Sequence, residues 1–342
     1  MDLWHLLPLD RSPLAEALVR AAIRHLNRQR LRRELRGTPA ERQERFRALL
    51  HQLRTGPITV EADRANQQHY EVPSEFFEAL LGPHLKYSCA WWGPEVGNLA
   101  EAEEAMLDLY VRRARLEDGQ RVLDLGCGWG SLTRYLARRF PRMRITAFSN
   151  SRTQREFLLE RLQGHPGVDV QTGDVARLDL PEGEFDRILS VEMLEHVRNH
   201  QAVLGRLHRA LKPGGLLFVH VFCHREATYL FEGGGWMERH FFSGGIMPGR
   251  DLLLHQAGPL AMVDHWLVDG RHYQKTLEAW LRKMRENPRE VQAALERAYG
   301  PRQWRRFRVL WQIFLMACAE LFGHARGTEW MVAHYLMARE GD

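Results

Sequence analysis

Residues 122–130 read Val-Leu-Asp-Leu-Gly-Cys-Gly-Trp-Gly, an apolar run that breaks into three alternating glycines, and the segment from Ser131 onward is helical in character. A strand that runs into Gly-x-Gly-x-Gly and then a helix leaves few folds open. The glycines allow positive φ and remove the Cβ atoms that would keep a ligand off the backbone. The helix behind them presents unpaired amides to an anionic group, a carboxylate as readily as a phosphate. Asp124 stands just ahead of the first glycine. An acid there suits S-adenosylmethionine, whose amino-acid end carries both an ammonium and a carboxylate. The dinucleotide spelling, with two residues before the third glycine, is absent. Asp124, Gly126 and Gly128 are therefore expected at the ligand.

The chain around this turn alternates. Strands are expected at Arg121–Leu125, Arg144–Phe148, Val168–Gln171, Phe185–Val191 and Gly215–Phe222, with helical segments between them. That rhythm implies parallel βαβ units in a doubly wound sheet. Lys212-Pro213-Gly214-Gly215 reads as a sharp turn into the fifth strand. Further strands near Ala261–Leu267 and Glu329–Met337, with a helix at Trp304–Phe322 between them, close the sheet as methyltransferase sheets close. Ahead of this core, 14–35 and 40–54 have helical periodicity, broken at Gly37-Thr38-Pro39, and Glu101–Arg115 is another helix. The expected organisation is a basic helical extension over 1–64, an aromatic, helical cap over 65–118, and a core over 119–342 with insertions at about 224–256 and 272–300.

At 342 residues the chain buries a full core. Its net charge of +5 is concentrated between Arg20 and Arg47. Anionic lipid is one partner for such a stretch, but Glu34, Glu41 and Glu44 are interspersed, which favours a solvated helix face. No aromatic-plus-basic nucleic-acid motif is present. The four cysteines, Cys89, Cys127, Cys223 and Cys318, lack metal-ligand spacing and read as reduced thiols of a cytoplasmic protein. No run of about 18 apolar residues and no secretory signal is apparent.

In open parallel sheets the ligand lies beyond the carboxyl ends of the strands. The second strand ends at Ser149-Asn150, neutral where a dinucleotide fold places an acid, so Ser149 or Asn150, helped by Gln154, must bond the ribose. The third is followed by Asp174, an acceptor for an adenine amino group. The fourth ends in Glu192-Met193-Leu194-Glu195-His196. Glu192 and Glu195 share a face if this is a helical turn. A carboxylate beside an imidazole holds its tautomer and raises its basicity, which suits proton removal near neutral pH. The fifth strand adds His220 and His224, of which one is expected to be a packed residue. No catalytic metal is expected.

These passages, together with His69-Tyr-Glu-Val-Pro-Ser-Glu-Phe-Phe77 and Leu85-Lys-Tyr-Ser-Cys-Ala90, resemble the cyclopropane-fatty-acyl-phospholipid synthase superfamily of S-adenosylmethionine-dependent methyltransferases. Glu103–Tyr110, Phe218–His224, Phe242–Pro248, Asp264–Gly270 and Glu329–His334 are most similar to its coclaurine N-methyltransferase branch. The resemblance implies a Rossmann-like class I methyltransferase, an α/β fold with a seven-stranded, mostly parallel sheet. It adds Tyr87, Ser88 and Val175 to the cofactor contacts. The cyclopropane enzymes hold a bicarbonate, and the matching ligands here are Cys89, Glu195, His220 and Tyr273. In the amine branch the positions of Glu192, Glu195 and His196 line the acceptor site, and the last two assist deprotonation. Phe222 stands where the cyclopropane enzymes carry a smaller aliphatic residue, which leans toward an amine.

Two acceptors follow. A small cyclic amine would be held by Glu192 and Glu195 and by the aromatic faces of Tyr70, Tyr87, Trp91 or Trp330. An unsaturated acyl chain would use bicarbonate as base and require membrane contact. A homodimer is compatible with either.

Overall fold

The structure, a computed structural model, describes residues 7–10, 12–60, 72–163, 165–232 and 234–341. Strands β1 (Arg121–Leu125), β2 (Arg144–Ser149), β3 (Val168–Thr172), β4 (Phe185–Val191) and β5 (Leu211–His224) run parallel, and two more complete a seven-stranded sheet among the described residues. They are β8 (Ala261–Val268) and β9 (Trp330–Ala338), and the order is β3-β2-β1-β4-β5-β9-β8. β9 is antiparallel to both its neighbours. This is the expected class I methyltransferase sheet. Helices covering both faces explain why β1, β5 and β9 are buried almost throughout, while the edge strand β8 is half exposed.

The parallel strands carry α5 (Ser131–Arg139), α6 (Arg152–Arg161) and α7 (His200–Ala210) between them. The expected turn at Lys212–Gly215 is instead part of β5, which begins at Leu211. Gly214 takes φ 73°, and the ladder shifts register opposite Phe185 and Arg187, so the strand absorbs the turn residues as a bulge.

Ahead of the core lie α1 (Pro13–Glu34), α2 (Pro39–Thr55), α3 (Ser74–Leu80) and α4 (Leu99–Arg113). Thr38 and Glu41 form a capping box that starts α2 after the break at Gly37. The arginine-rich stretch is not simply a solvated face. Arg20 binds Glu16, Glu278 and Glu320 at 2.7–3.1 Å and is 16 % exposed, while Arg30, Arg33 and Arg42 pair with Glu34 or Glu226. The Arg20 contacts to Glu278 and Glu320 lash α1 to α9 (Gly270–Glu286) and α11 (Trp304–Phe322). α10 (Pro288–Tyr299) packs between α11 and α3. β6 (Tyr229–Leu230), α8 (Trp236–His240) and β7 (Ile246–Met247) form the segment after β5. No described helix is long and apolar enough to cross a membrane.

Candidate active site

The carboxyl ends of β1, β2, β3 and β4 open on a cleft lined by Gly126, Gly128, Ser149, Asn150, Gln154, Asp174 and Val175. Gly126 takes φ 89°, and a Cβ there would lie 2.7 Å from Met193. At Gly128, φ 53°, a Cβ would meet nothing within 4 Å: the backbone faces open space where a ligand needs it. Ser149 donates to Gln154 Oε1 at 2.7 Å, which leaves Gln154 Nε2 buried without a partner and free for a ligand acceptor. One Asp174 oxygen accepts the Ala176 amide at 2.8 Å.

A second chamber continues from the glycines toward Lys86, Tyr87, Ser88, Tyr110 and Asp124. Asp124 is buried and accepts from Thr133 Oγ1 at 2.6 Å; burial pushes its carboxyl up to about 6. Lys86 is buried as well. Its Nζ donates to Ser88 Oγ at 2.5 Å and to the Cys89 carbonyl at 2.6 Å, and burial brings its ammonium down to about 8. A carboxylate and an ammonium in one chamber match the two charges of an amino-acid group. Lys86 was not legible as a site residue, because a single lysine in an aromatic stretch carries no spacing signal.

A third, apolar chamber is lined by Tyr87, Phe222, Phe231, Phe242, Tyr273, Trp280, Phe314, Cys318 and Phe322, among others. Phe314, Cys318, Leu321 and Phe322 are one helical stripe of α11, a spacing that was readable. Among the described residues only Glu192 lines all three spaces.

Glu192 follows β4 at φ 47°, a left-handed conformation that costs a non-glycine residue about 1–3 kcal/mol and is held by its surroundings. Its Oε1 accepts the Cys89 amide at 2.9 Å and pairs with His220 Nε2 at 3.0 Å; its Oε2 accepts the Tyr273 hydroxyl at 2.5 Å. Burial raises its carboxyl above the usual range, while Lys86 and the Cys89 and Tyr273 hydrogen bonds pull against that rise.

The expected pairing of Glu195 with His196 is not what the chain forms. Leu194–His196 is a short 3₁₀ segment, and Glu192 precedes it in left-handed backbone, so the two glutamates do not share a face. Glu195 lines none of the three spaces. It is buried beneath β5, accepts the Phe222 amide at 2.7 Å, and leaves Oε2 without a partner. Burial and the charge of Glu192 raise its carboxyl well above the usual range, favouring the neutral acid. The carboxylate–imidazole pair is Glu192 with His220. His196 lies between the cofactor cleft and the aromatic chamber and stacks on Phe242 at 5.1 Å; burial lowers its imidazole to about 4.

The other expected pocket residues divide. Tyr87, Phe222 and Tyr273 line the aromatic chamber. Cys89 touches Glu192 through its amide, and its buried thiol turns to the Ala90 carbonyl. Trp91 stacks on His272 at 4.3 Å, and Trp330 is buried with its indole on the Tyr229 hydroxyl; neither lines the chamber, because each is consumed in packing. Tyr70 lies outside the described residues. Of the paired histidines, His224 is the packed one, its Nδ1 accepting the Glu226 and Ala227 amides. Among the described residues no group of acids, histidines and cysteines could hold a metal ion.

The family model for mycolic acid cyclopropane synthetase matches residues 59–329. The chain belongs to this family. It is 34% identical over 301 residues to (S)-coclaurine N-methyltransferase of Thalictrum flavum subsp. glaucum, covering 85% of this chain and 83% of the relative. A solved structure of coclaurine N-methyltransferase bound to N-methylheliamine and SAH has a TM-score of 0.89 at 33% identity, over 93% of this chain and 94% of that one. Cyclopropane-fatty-acyl-phospholipid synthase of Escherichia coli (strain K12) is 29% identical, over 75% of this chain and 63% of its own length. This family member is an S-adenosylmethionine-dependent methyltransferase, and its open glycine backbone, unpartnered Gln154 amide and buried Asp124–Lys86 chamber fit that cofactor.

Proposed function

We propose that the methyl group goes to the nitrogen of a small cyclic amine carrying aromatic rings. One observation carries this reading: the carboxylate of Glu192 stands where the cofactor cleft, the amino-acid chamber and the aromatic chamber meet. A carboxylate there binds an acceptor that arrives as a cation, whereas an unsaturated acyl chain brings no charge for it to bind.

When bound, S-adenosylmethionine supplies an electrophilic methyl group on a sulfonium. Gly126, Gly128, Gln154 and Asp174 hold its nucleoside side, and Asp124 with Lys86 its amino-acid side. An amine enters as its ammonium, drawn by Glu192 and by the ring faces of Tyr87, Phe222 and Phe242, each worth about 0.5–2 kcal/mol to a desolvated cation. The lone pair must be exposed before it can react. His196 is unprotonated through the neutral range and borders both chambers, so it is placed to accept a hydrogen bond from the ammonium, but burial leaves it too weak a base to hold that proton alone. Glu195, buried behind it, supports the Phe222 backbone rather than the acceptor.

Three of the four groups that the resemblance offers to a bicarbonate are engaged by Glu192. The Cys89 amide and the Tyr273 hydroxyl, with His220, already bond to Glu192, so a second anion would lie against its carboxylate. This supports the amine over the cyclopropane reading. Labelled methyl donor offered in parallel to a panel of cyclic amines and to vesicles of unsaturated phospholipid tests it. Label is expected in an amine without any vesicle; label only in the acyl chains overturns the proposal.

A further inference from the structure

Behind Glu192 lies a buried polar network that methyl transfer itself does not call for. His220 on β5 faces His334 on β9 across the ladder, and His334 faces Trp266 on β8. His334 Nε2 lies 2.8 Å from His220 Nδ1, and Arg113 of α4 lies 2.6 Å from His334 Nδ1, its guanidinium over the Trp266 ring. Tyr110, one turn back on α4, brings its hydroxyl 2.9 Å from the same Nδ1 of His220. Its other partner is Ser88, which accepts from Lys86. His220, His334 and Tyr110 are wholly buried.

The direction of these bonds follows from which groups lack a lone pair. A guanidinium only donates, so His334 Nδ1 accepts. A neutral imidazole has a single N–H, so that of His334 lies on Nε2 and donates to His220. An ammonium also only donates, so Lys86, through Ser88 and Tyr110, sends a second donor to the same nitrogen. Both chains end on the one lone pair of His220 Nδ1. The proton of His220 then sits on Nε2, pointing at Glu192.

We propose that Arg113, His334, Tyr110 and Lys86 are positioning residues that keep His220 neutral and so leave the charge of Glu192 for the acceptor nitrogen, a role that rests on the amine reading above. A buried imidazole beside a buried carboxylate otherwise takes a proton and cancels that charge. Here the ionisable groups facing the His220–Glu192 pair are Lys86 and Cys89 from the loop before α4, Tyr110 and Arg113 from α4, Glu195 and His196 after β4, His334 from β9, Tyr273 from α9 and Cys318 from α11. Burial and the charges of Lys86 and Arg113 hold the His220 imidazole well below its ordinary range.

Histidine-selective ¹⁵N labelling of the whole enzyme, read from about pH 5 to 8 where an ordinary imidazole titrates, tests this. In the wild type His220 is expected to carry one proton, on Nε2, throughout. In the H334L/Y110F variant it should take a second proton at a higher pH than in the wild type, within that range, with kcat/KM for the amine down roughly 10–100-fold, the range for a histidine that loses its outer hydrogen-bond partner. Arg113 is half-buried at the edge of the network, so R113L removes less of the core than the double variant: His334 should then share its proton between both nitrogens, and R113K should return it to Nε2. A wild-type His220 that is doubly protonated at neutral pH, or protonated on Nδ1, overturns the proposal. So does a double variant that stays singly protonated, or an R113L enzyme with wild-type His334 signals. If no amine is methylated while the nitrogen signals behave as stated, the amine reading fails and the network still keeps His220 neutral.

Discussion

Gly128 and Asp124 show how much one residue decides. At Gly128 the left-handed backbone would cost an alanine about 1–2 kcal/mol of stability, and its methyl group would project into open space. Gly128→Ala should therefore fold, yet lose about 1–3 kcal/mol of S-adenosylmethionine affinity through overpacking; calorimetric titration showing wild-type affinity would count against the cleft. Asp124 sets a pH dependence. Its carboxyl, raised to about 6, is ionised above that pH and neutral below it. Donor affinity should be flat above about 6 and fall by up to tenfold per unit below, since one proton must be displaced, and Asp124→Asn should abolish the slope. The glycines, Asp124 and Glu192 were legible because motif and strand end fixed their place. The neutral state of Glu195 was not: charge on a buried carboxyl depends on what surrounds it in space, and the sequence shows only that an imidazole follows it.

At the scale of elements, the connection from Leu81 to Trp92 delivers Lys86, Tyr87, Ser88 and the Cys89 amide to the site, and it is riveted at several points. Glu103 accepts the Gly82 and His84 amides, Thr276 bonds the Ala90 amide and the Trp92 indole, and His272 takes the Trp92 amide. The α9 helix is thus a frame for this loop as well as a chamber wall. The seven strands and the α11 boundaries were readable from periodicity, but the strand order and the antiparallel setting of β9 were not. The rivets from α9 were not readable either, since they join residues some 180 positions apart. The same holds for the arginines of α1, whose partners Glu278 and Glu320 lie on helices far along the chain. Arg20→Ala should loosen α1 against α9 and α11 and cost about 1–3 kcal/mol, the range for hydrogen bonds to charged groups. Denaturant unfolding checks this, and a midpoint unchanged from wild type would mean that apolar contact and the remaining Arg24–Glu320 and Arg285–Glu16 pairs hold the helix without it.

Across the whole molecule the three spaces are arranged so that the β-sheet supplies the cofactor side, the helices α9 and α11 with the segment after β5 supply the acceptor side, and Glu192 stands between. Its strained backbone, its three hydrogen bonds and the histidine network behind it all act to hold one carboxylate at that junction. The account therefore turns on whether that charge selects the acceptor. The most direct test is Glu192→Gln, which keeps the shape and removes the charge, measured with saturating S-adenosylmethionine against the best amine from the panel. Losing one partner of a desolvated charge pair costs about 2–5 kcal/mol, so KM for the amine should rise at least about thirtyfold while the dissociation constant for S-adenosylmethionine stays within a few-fold of wild type. An unchanged KM in that variant would contradict the account.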